Sequence, residues 1–135
     1  VKSSDDFLTF AKYLRISNCY LCIKYLKILK MNWIALIFAG IFEIGWPLGM
    51  KMAQTSSINK FGWIVLAITS MAISGFLLFY SQKTIPIGTA YAVWTGIGAV
   101  GTLVVGILFF NDSASIFRLL SALLIVIGII GLKVF

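Results

Sequence analysis

The sequence predicts an all-α integral membrane protein, a four-helix bundle, on three observations. Hydrophobic residues make up 61% of the 135 and charged residues only 11%, against about half apolar and a quarter charged in an ordinary soluble domain. From Met31 onward the chain divides into four apolar runs, residues 32–50, 61–80, 86–110 and 115–134, each near the roughly 20 residues that a helix needs to cross a bilayer. The breaks between the runs are polar, and the strict alternation of a β-barrel strand is missing. The same composition sets aside disorder, which needs far more polar surface.

Residues 1–30 have a different character. They carry Lys2, Lys12, Arg15, Lys24, Lys27 and Lys30 against Asp5 and Asp6, a net +4 out of the chain's +7. Charges break up the apolar positions and no small-residue cleavage site follows, so the segment does not read as a signal peptide. Cys19-Tyr20-Leu21-Cys22 is formally C-x-x-C, but without a second pair or any histidine the spacing reads as coincidence. The expectation is a tail over 1–30 outside the working domain, either non-functional or a start placed upstream of an initiator at Met31, followed by a membrane domain over 31–135. A basic amphipathic surface segment over 12–30 is the other reading, although its periodicity is poor.

The first span holds Glu43, within Ile41-Phe42-Glu43-Ile44-Gly45-Trp46. A charged acid at mid-membrane costs about 3 kcal/mol on insertion scales, so such residues face a bundle interior and are functional by default. A low dielectric favours the neutral form of a carboxyl group and a bound cation favours the ionised form. A carboxylate that holds a proton or a cation, never both, meets the basic requirement of an exchanger. The plainer reading is an acid shielded from lipid that merely joins helices. Leu36, Gly40, Glu43, Pro47 and Met50 fall along one helix face, with Trp46 one turn beyond Glu43. Gly40 clears space beside the acid. Pro47 weakens the hydrogen-bond ladder and bends the helix, or is simply a tolerated membrane proline.

In the second span Ser70, Ser74 and Ser81 line up at i, i+4 and i+11. Ser74 is deep enough to hydrogen-bond an acid on a neighbouring helix, or its own i−4 carbonyl. The third span opens at Pro86, which suits a helix start. Its stripe of Tyr91, Trp94, Thr95 and Gly98 is a site face or an interfacial aromatic belt. Gly96-Ile97-Gly98 loosens this helix for a kink, or permits close packing. The fourth span has no acid and, from Leu119 to Leu132, no aromatic. Ser121 and Gly128, seven apart, give it a small-residue stripe for dimer contact. Arg118 and Lys133 near its ends are expected to reach the headgroups, and Asp112 to cap the preceding loop.

Four spans leave both termini on one side of the membrane. That side carries Lys83 and Lys133 and the other Lys51, Lys60 and Arg118, a balance that gives the positive-inside rule little to act on and permits insertion in both orientations. The tail would draw the terminal side toward the cytoplasm. Four short helices enclose little by themselves, so pairing with a second copy is expected.

Three stretches carry a resemblance to a known family: Ala39-Gly40-Ile41-Phe42-Glu43 with Trp46 and Lys51; Pro86 through Gly101, reading Pro-Ile-Gly-Thr-Ala-Tyr-Ala-Val-Trp-Thr-Gly-Ile-Gly-Ala-Val-Gly; and Gly128-Ile129-Ile130-Gly131-Leu132-Lys133. On these, residues 31–135 resemble the small multidrug resistance transporters, most closely their guanidinium-exporter branch. The resemblance implies an antiparallel homodimer in the bacterial inner membrane that exchanges protons for guanidinium or a related small organic cation. It makes Glu43 the shared proton and substrate site, with Gly40, Trp46 and Ser74 around its carboxylate. Tyr91 would hydrogen-bond across the site and Trp94 would help form it. Gly96 and Gly98 match the hinge of the third helix, and Ser121 and Gly128 lie on the dimer helix. The chain departs from the usual pattern at Pro47, where a small or aliphatic residue is commoner, and at Ser121, where some relatives carry glycine.

Guanidinium is flat and charged, and its N–H donors match a carboxylate bidentately. Quaternary ammonium ions offer no N–H and need a roomier aromatic box. Export of such lipophilic drugs is the alternative in the same fold, and a non-transporting small membrane subunit is a further one. An enzyme is not expected, because the chain shows no nucleophile–base pair, phosphate loop or metal cluster. No cofactor is implied. A basic balance on so apolar a chain points to the lipid bilayer, not to nucleic acid.

Overall fold

The computed structural model describes residues 2–56 and 58–134, with side chains from residue 20 onward. Four helices follow in order: α1 (Lys2–Thr55), α2 (Lys60–Ser81), α3 (Ile87–Phe110) and α4 (Ile116–Val134). Each contains a stretch long and apolar enough to cross a membrane, the one in α1 within Tyr20–Thr55. The last three match the expected spans to within a residue or so. α1 does not: it runs well beyond 32–50 at both ends. The sequence up to Met31 contains neither glycine nor proline, so no residue there forces a break, and Lys51 to Thr55 continue the helix until Ser56. Weak periodicity in the tail left its buried face undefined without opposing helix formation.

The chain groups into two compact units, Val1–Met31 and Asn32–Phe135. In the first, Tyr20, Leu21, Ile23, Tyr25 and Leu26 are exposed, and Cys22 is a free, exposed thiol. The side chain of Cys19, and with it the C-x-x-C reading, lies outside the described residues, as does the face of residues 12–19.

The second unit has a small core. Leu36, Ile85, Ala90 and Val93 are buried together, with Trp33, Leu78, Trp94, Ile97 and Ile129 packed around them. Bulky residues such as Phe61, Phe76, Phe79, Leu108 and Leu124 point outward. That inversion suits a hydrocarbon solvent, in which large side chains lose nothing by exposure and helix contact depends on small ones. A Cβ on Gly49 would lie 2.9 Å from the Trp63 carbonyl oxygen, and Gly101 sits against Ile44. α4 buries no residue.

Both ends of the unit are tied by polar contacts. The Asn32 side-chain amide donates to the Thr84 hydroxyl at 2.7 Å, and the Lys133 ammonium lies 5.5 Å from the Trp33 ring centroid, in place of a free reach to the headgroups. At the other end α3 closes through Asn111, in the left-handed region at φ 54°, and the Asp112 N–H donates to the Gly106 carbonyl at 3.1 Å. Asparagine tolerates that conformation, so the turn is capped by backbone, and the Asp112 carboxylate, expected as the cap, folds over Gly106. Arg118 turns back to donate to the Ser113 carbonyl and hydroxyl at 2.8 and 3.0 Å.

Candidate functional site

Glu43 is half-buried, on the face of α1 turned toward α2 and α3. Both carboxylate oxygens have partners. The Trp46 indole N–H, three residues along the same helix, donates to Oε1 at 2.8 Å. The Ser74 hydroxyl, from α2, lies 2.9 Å from Oε2. Ser74 is itself fully buried and receives the Trp94 indole N–H of α3 at 2.8 Å. Three helices therefore converge on one acid through a chain of four side chains. Such donors hold a carboxylate in a fixed plane, ready for a planar partner.

Glycines make the convergence possible. A Cβ on Gly98 would stand 2.7 Å from the Glu43 Cγ, and one on Gly40 would stand 2.7 Å from the Ile97 Cβ. Gly40 thus makes room for α3 beside the acid, and Gly98 makes room for the acid itself. α3 is unbroken through Gly96 and Gly98. Gly96 packs on α4, where a Cβ would come 2.5 Å from the Ile129 Cδ1.

Tyr91 lies at the edge of the group. Its ring centroid is 5.3 Å from that of Trp94, tilted by 59°, it is 56% exposed, and among the described residues its hydroxyl is not joined to Glu43. Ser121 bonds its own helix, donating to the Phe117 carbonyl at 2.8 Å, and a Cβ on Gly128 would meet nothing within 4 Å. Both are exposed on α4.

Sequence reasoning passed over three participants. Ser70 donates to the Phe42 carbonyl at 2.7 Å, and Ser74 also lies 2.8 Å from the Ala39 carbonyl, so two serines one turn apart lace α2 to α1. Their i, i+4 register was the available signal; its target, the backbone of another helix, was not. Asp112 and Arg118 line a cavity of about 450 Å³ with Glu43, Trp46, Pro47 and Gly98. Nothing in their spacing announces this, since the α3–α4 turn brings them there.

The match to known proteins covers the same residues. The family described as Small Multidrug Resistance protein matches residues 31–125. A protein of Proteus vulgaris named guanidinium exporter is 50% identical over 103 residues, 76% of this chain and 97% of its own length. Guanidinium exporters of Salmonella typhimurium and Escherichia coli K12 are 52% and 48% identical, each over 76% of this chain and 96% of their own lengths. The four apolar helices, the hydrogen-bonded acid where three of them meet and these relatives agree: the chain belongs to the small multidrug resistance family, multi-pass transporters of the bacterial inner membrane rather than enzymes.

Proposed function

We propose that the protein exports guanidinium and small guanidinyl cations in exchange for protons, with Glu43 binding one or the other. The observation that carries this reading is the Glu43 carboxylate, lying in a membrane-spanning helix, with one donor on each oxygen at 2.8 and 2.9 Å and an open cavity beside it. The guanidinium exporters at about half identity support the choice of cation.

Ser74 supplies the exchange logic. A hydroxyl has one hydrogen to donate, yet its oxygen lies within bonding distance of the Ala39 carbonyl, the Glu43 carboxylate and the donating Trp94 indole. With Glu43 ionised, the hydrogen goes to the carboxylate. With Glu43 protonated on Oε2, the acid donates to Ser74 and the serine hydrogen goes to Ala39. Gly40, Trp46, Ser74 and Trp94 position the acid, and Tyr91, exposed and free to reach outward, completes the site from a second copy.

The working form in this reading is an antiparallel homodimer. No residue of α4 is fully buried within the protomer, its core contact being partial and made through Ile129, and among the described residues Gly128 and Gly131 have open space before them, as on a helix face reserved for a partner. Gly96 and Gly98 would let α3 bend as the two faces alternate. Residues 1–30 stand outside this machinery. Labelling of Ile58→Cys, 98% exposed between α1 and α2, in a chain with Cys19 and Cys22 replaced, is expected from both faces of the membrane.

The test of function is uptake into proteoliposomes driven by a pH gradient, with guanidinium and with a bulky ammonium dye. Guanidinium flux in the native protein and none in Glu43→Gln is the expected result. Flux that persists in Glu43→Gln defeats the mechanism, dye transport without guanidinium transport favours the quaternary ammonium reading, and no flux of either cation favours a subunit role.

A further inference from the structure

Pro47 stands inside α1, four residues after Glu43. In an α-helix the N–H of residue i+4 is the partner of the carbonyl of residue i. Proline has no N–H, and its ring also crowds that carbonyl. The carbonyl left without its helical donor is therefore that of Glu43, the same residue whose side chain is the site's acid. In a membrane a freed carbonyl is costly unless something satisfies it, and where broken helices line transport cavities, unpaired carbonyls of this kind face cations. Here Glu43 and Pro47 line one cavity of about 450 Å³, and the side-chain donors nearest the acid are already engaged: Trp46 on Oε1, Ser74 on Oε2 and Ala39, and Ser70 on the Phe42 carbonyl.

We infer that the main-chain carbonyl of Glu43, released by Pro47, is a second acceptor for the transported cation, and that Pro47 is a specificity-determining position. Guanidinium carries N–H donors along every edge, and one carboxylate cannot satisfy them all. The carboxylate takes one edge and the released carbonyl takes a donor on another. A quaternary ammonium ion has no N–H and gains nothing from the extra oxygen. Pro47 thereby favours cations by their donors as well as by their charge. This rests on the export reading above for the identity of the ion.

Substitution Pro47→Ala restores an N–H to compete for the carbonyl, and alanine is the best helix former, so folding is not at risk. Calorimetry on the full chain in detergent micelles compares native protein and Pro47→Ala for guanidinium, tetramethylguanidinium and tetramethylammonium, with proteoliposome uptake of the same ions in parallel. The expected result is a Kd for guanidinium weakened about tenfold or more, the scale of one hydrogen bond to a charged group. A smaller change is expected for tetramethylguanidinium and none for tetramethylammonium. An equal change for all three ions would assign Pro47 to helix shape and overturn the inference, as would an unchanged Kd for guanidinium. Graded binding with no guanidinium uptake by the native protein would instead count against the export reading alone.

Discussion

Asn32 and Thr84 are 52 residues apart in sequence and 2.7 Å apart in the fold. The bond ties α1 to the turn between α2 and α3, beside the buried Ile85 and Leu36. Asn32 is only 1% exposed, and among the described residues its Oδ1 has no partner, so there the amide's burial rests on the single bond it donates. Asn32→Ala is expected to cost about 1–3 kcal/mol, since it strands the Thr84 hydroxyl. Asn32→Ala with Thr84→Val removes both polar groups and should cost less than the two single changes summed. Unfolding by denaturant in micelles measures all three, and strict additivity would show that the bond is not the source of the loss.

Trp46 and Trp94 both donate an indole N–H, but to different targets. Trp46 reaches the carboxylate itself, whereas Trp94 reaches it through Ser74. Phenylalanine keeps most of the ring and deletes the donor at either position. Trp46→Phe is expected to weaken guanidinium binding about tenfold, the loss of a bond to a charged group. Trp94→Phe should weaken it less, because Ser74 retains its own hydrogen for Glu43. Affinities measured for the two variants decide the order, and a larger effect at Trp94 would contradict the chain of donors drawn here.

Much of this was legible in the sequence, for reasons that also mark where legibility ends. The lengths of the last three helices follow from apolar runs bounded by polar residues, and Glu43 stands out because charge in hydrocarbon is costly. Ser74 and Trp94 were visible as stripes on their own helices. Their bonds to each other were not, because helical periodicity gives a face and never the rotation of one helix against another. Gly96 and Gly98 show the same limit: both read as loosening points or as close-packing positions, and only the packed chain reveals Ile129 before one and Glu43 before the other. Asp112 and Arg118 were read by their nearness to helix ends, whereas a turn set by the left-handed Asn111 carries them into the cavity.

Gly98 is the residue whose small size bears most directly on the acid. An alanine there would press on the Glu43 Cγ from 2.7 Å, and α1 would have to shift or the carboxylate turn away from Trp46 and Ser74. Overpacking of this kind costs about 1–3 kcal/mol, and guanidinium uptake should fall at least tenfold. Gly75, on α2, provides the contrast, with open space before its missing Cβ. Gly75→Ala should raise stability by up to about 1 kcal/mol through helix propensity alone and leave uptake unchanged. Thermal unfolding and uptake of the two variants separate a crowded site from a general intolerance of side chains at glycine.

Gly128 and Gly75 look alike within one protomer, since among the described residues a Cβ at either would meet nothing beyond its own helix backbone and chain neighbours within 4 Å. Their helices differ. α2 buries Ala67, Ser70, Ser74 and Ser81 against the rest of the chain, while no residue of α4 is fully buried and its packing on the core is partial, through Ile129. If α4 is the surface that a second copy covers, Gly128→Leu should place its side chain in that contact and leave the protomer's own packing untouched. Close approach at small residues is the main source of helix association in lipid, so the variant is expected to run as a monomer in micelles and to lose uptake while keeping its helix content. Gly75→Leu should remain assembled. Light scattering after size-exclusion chromatography, with circular dichroism on the same samples, reads both properties, and a Gly128→Leu protein that stays dimeric would remove α4 from the interface.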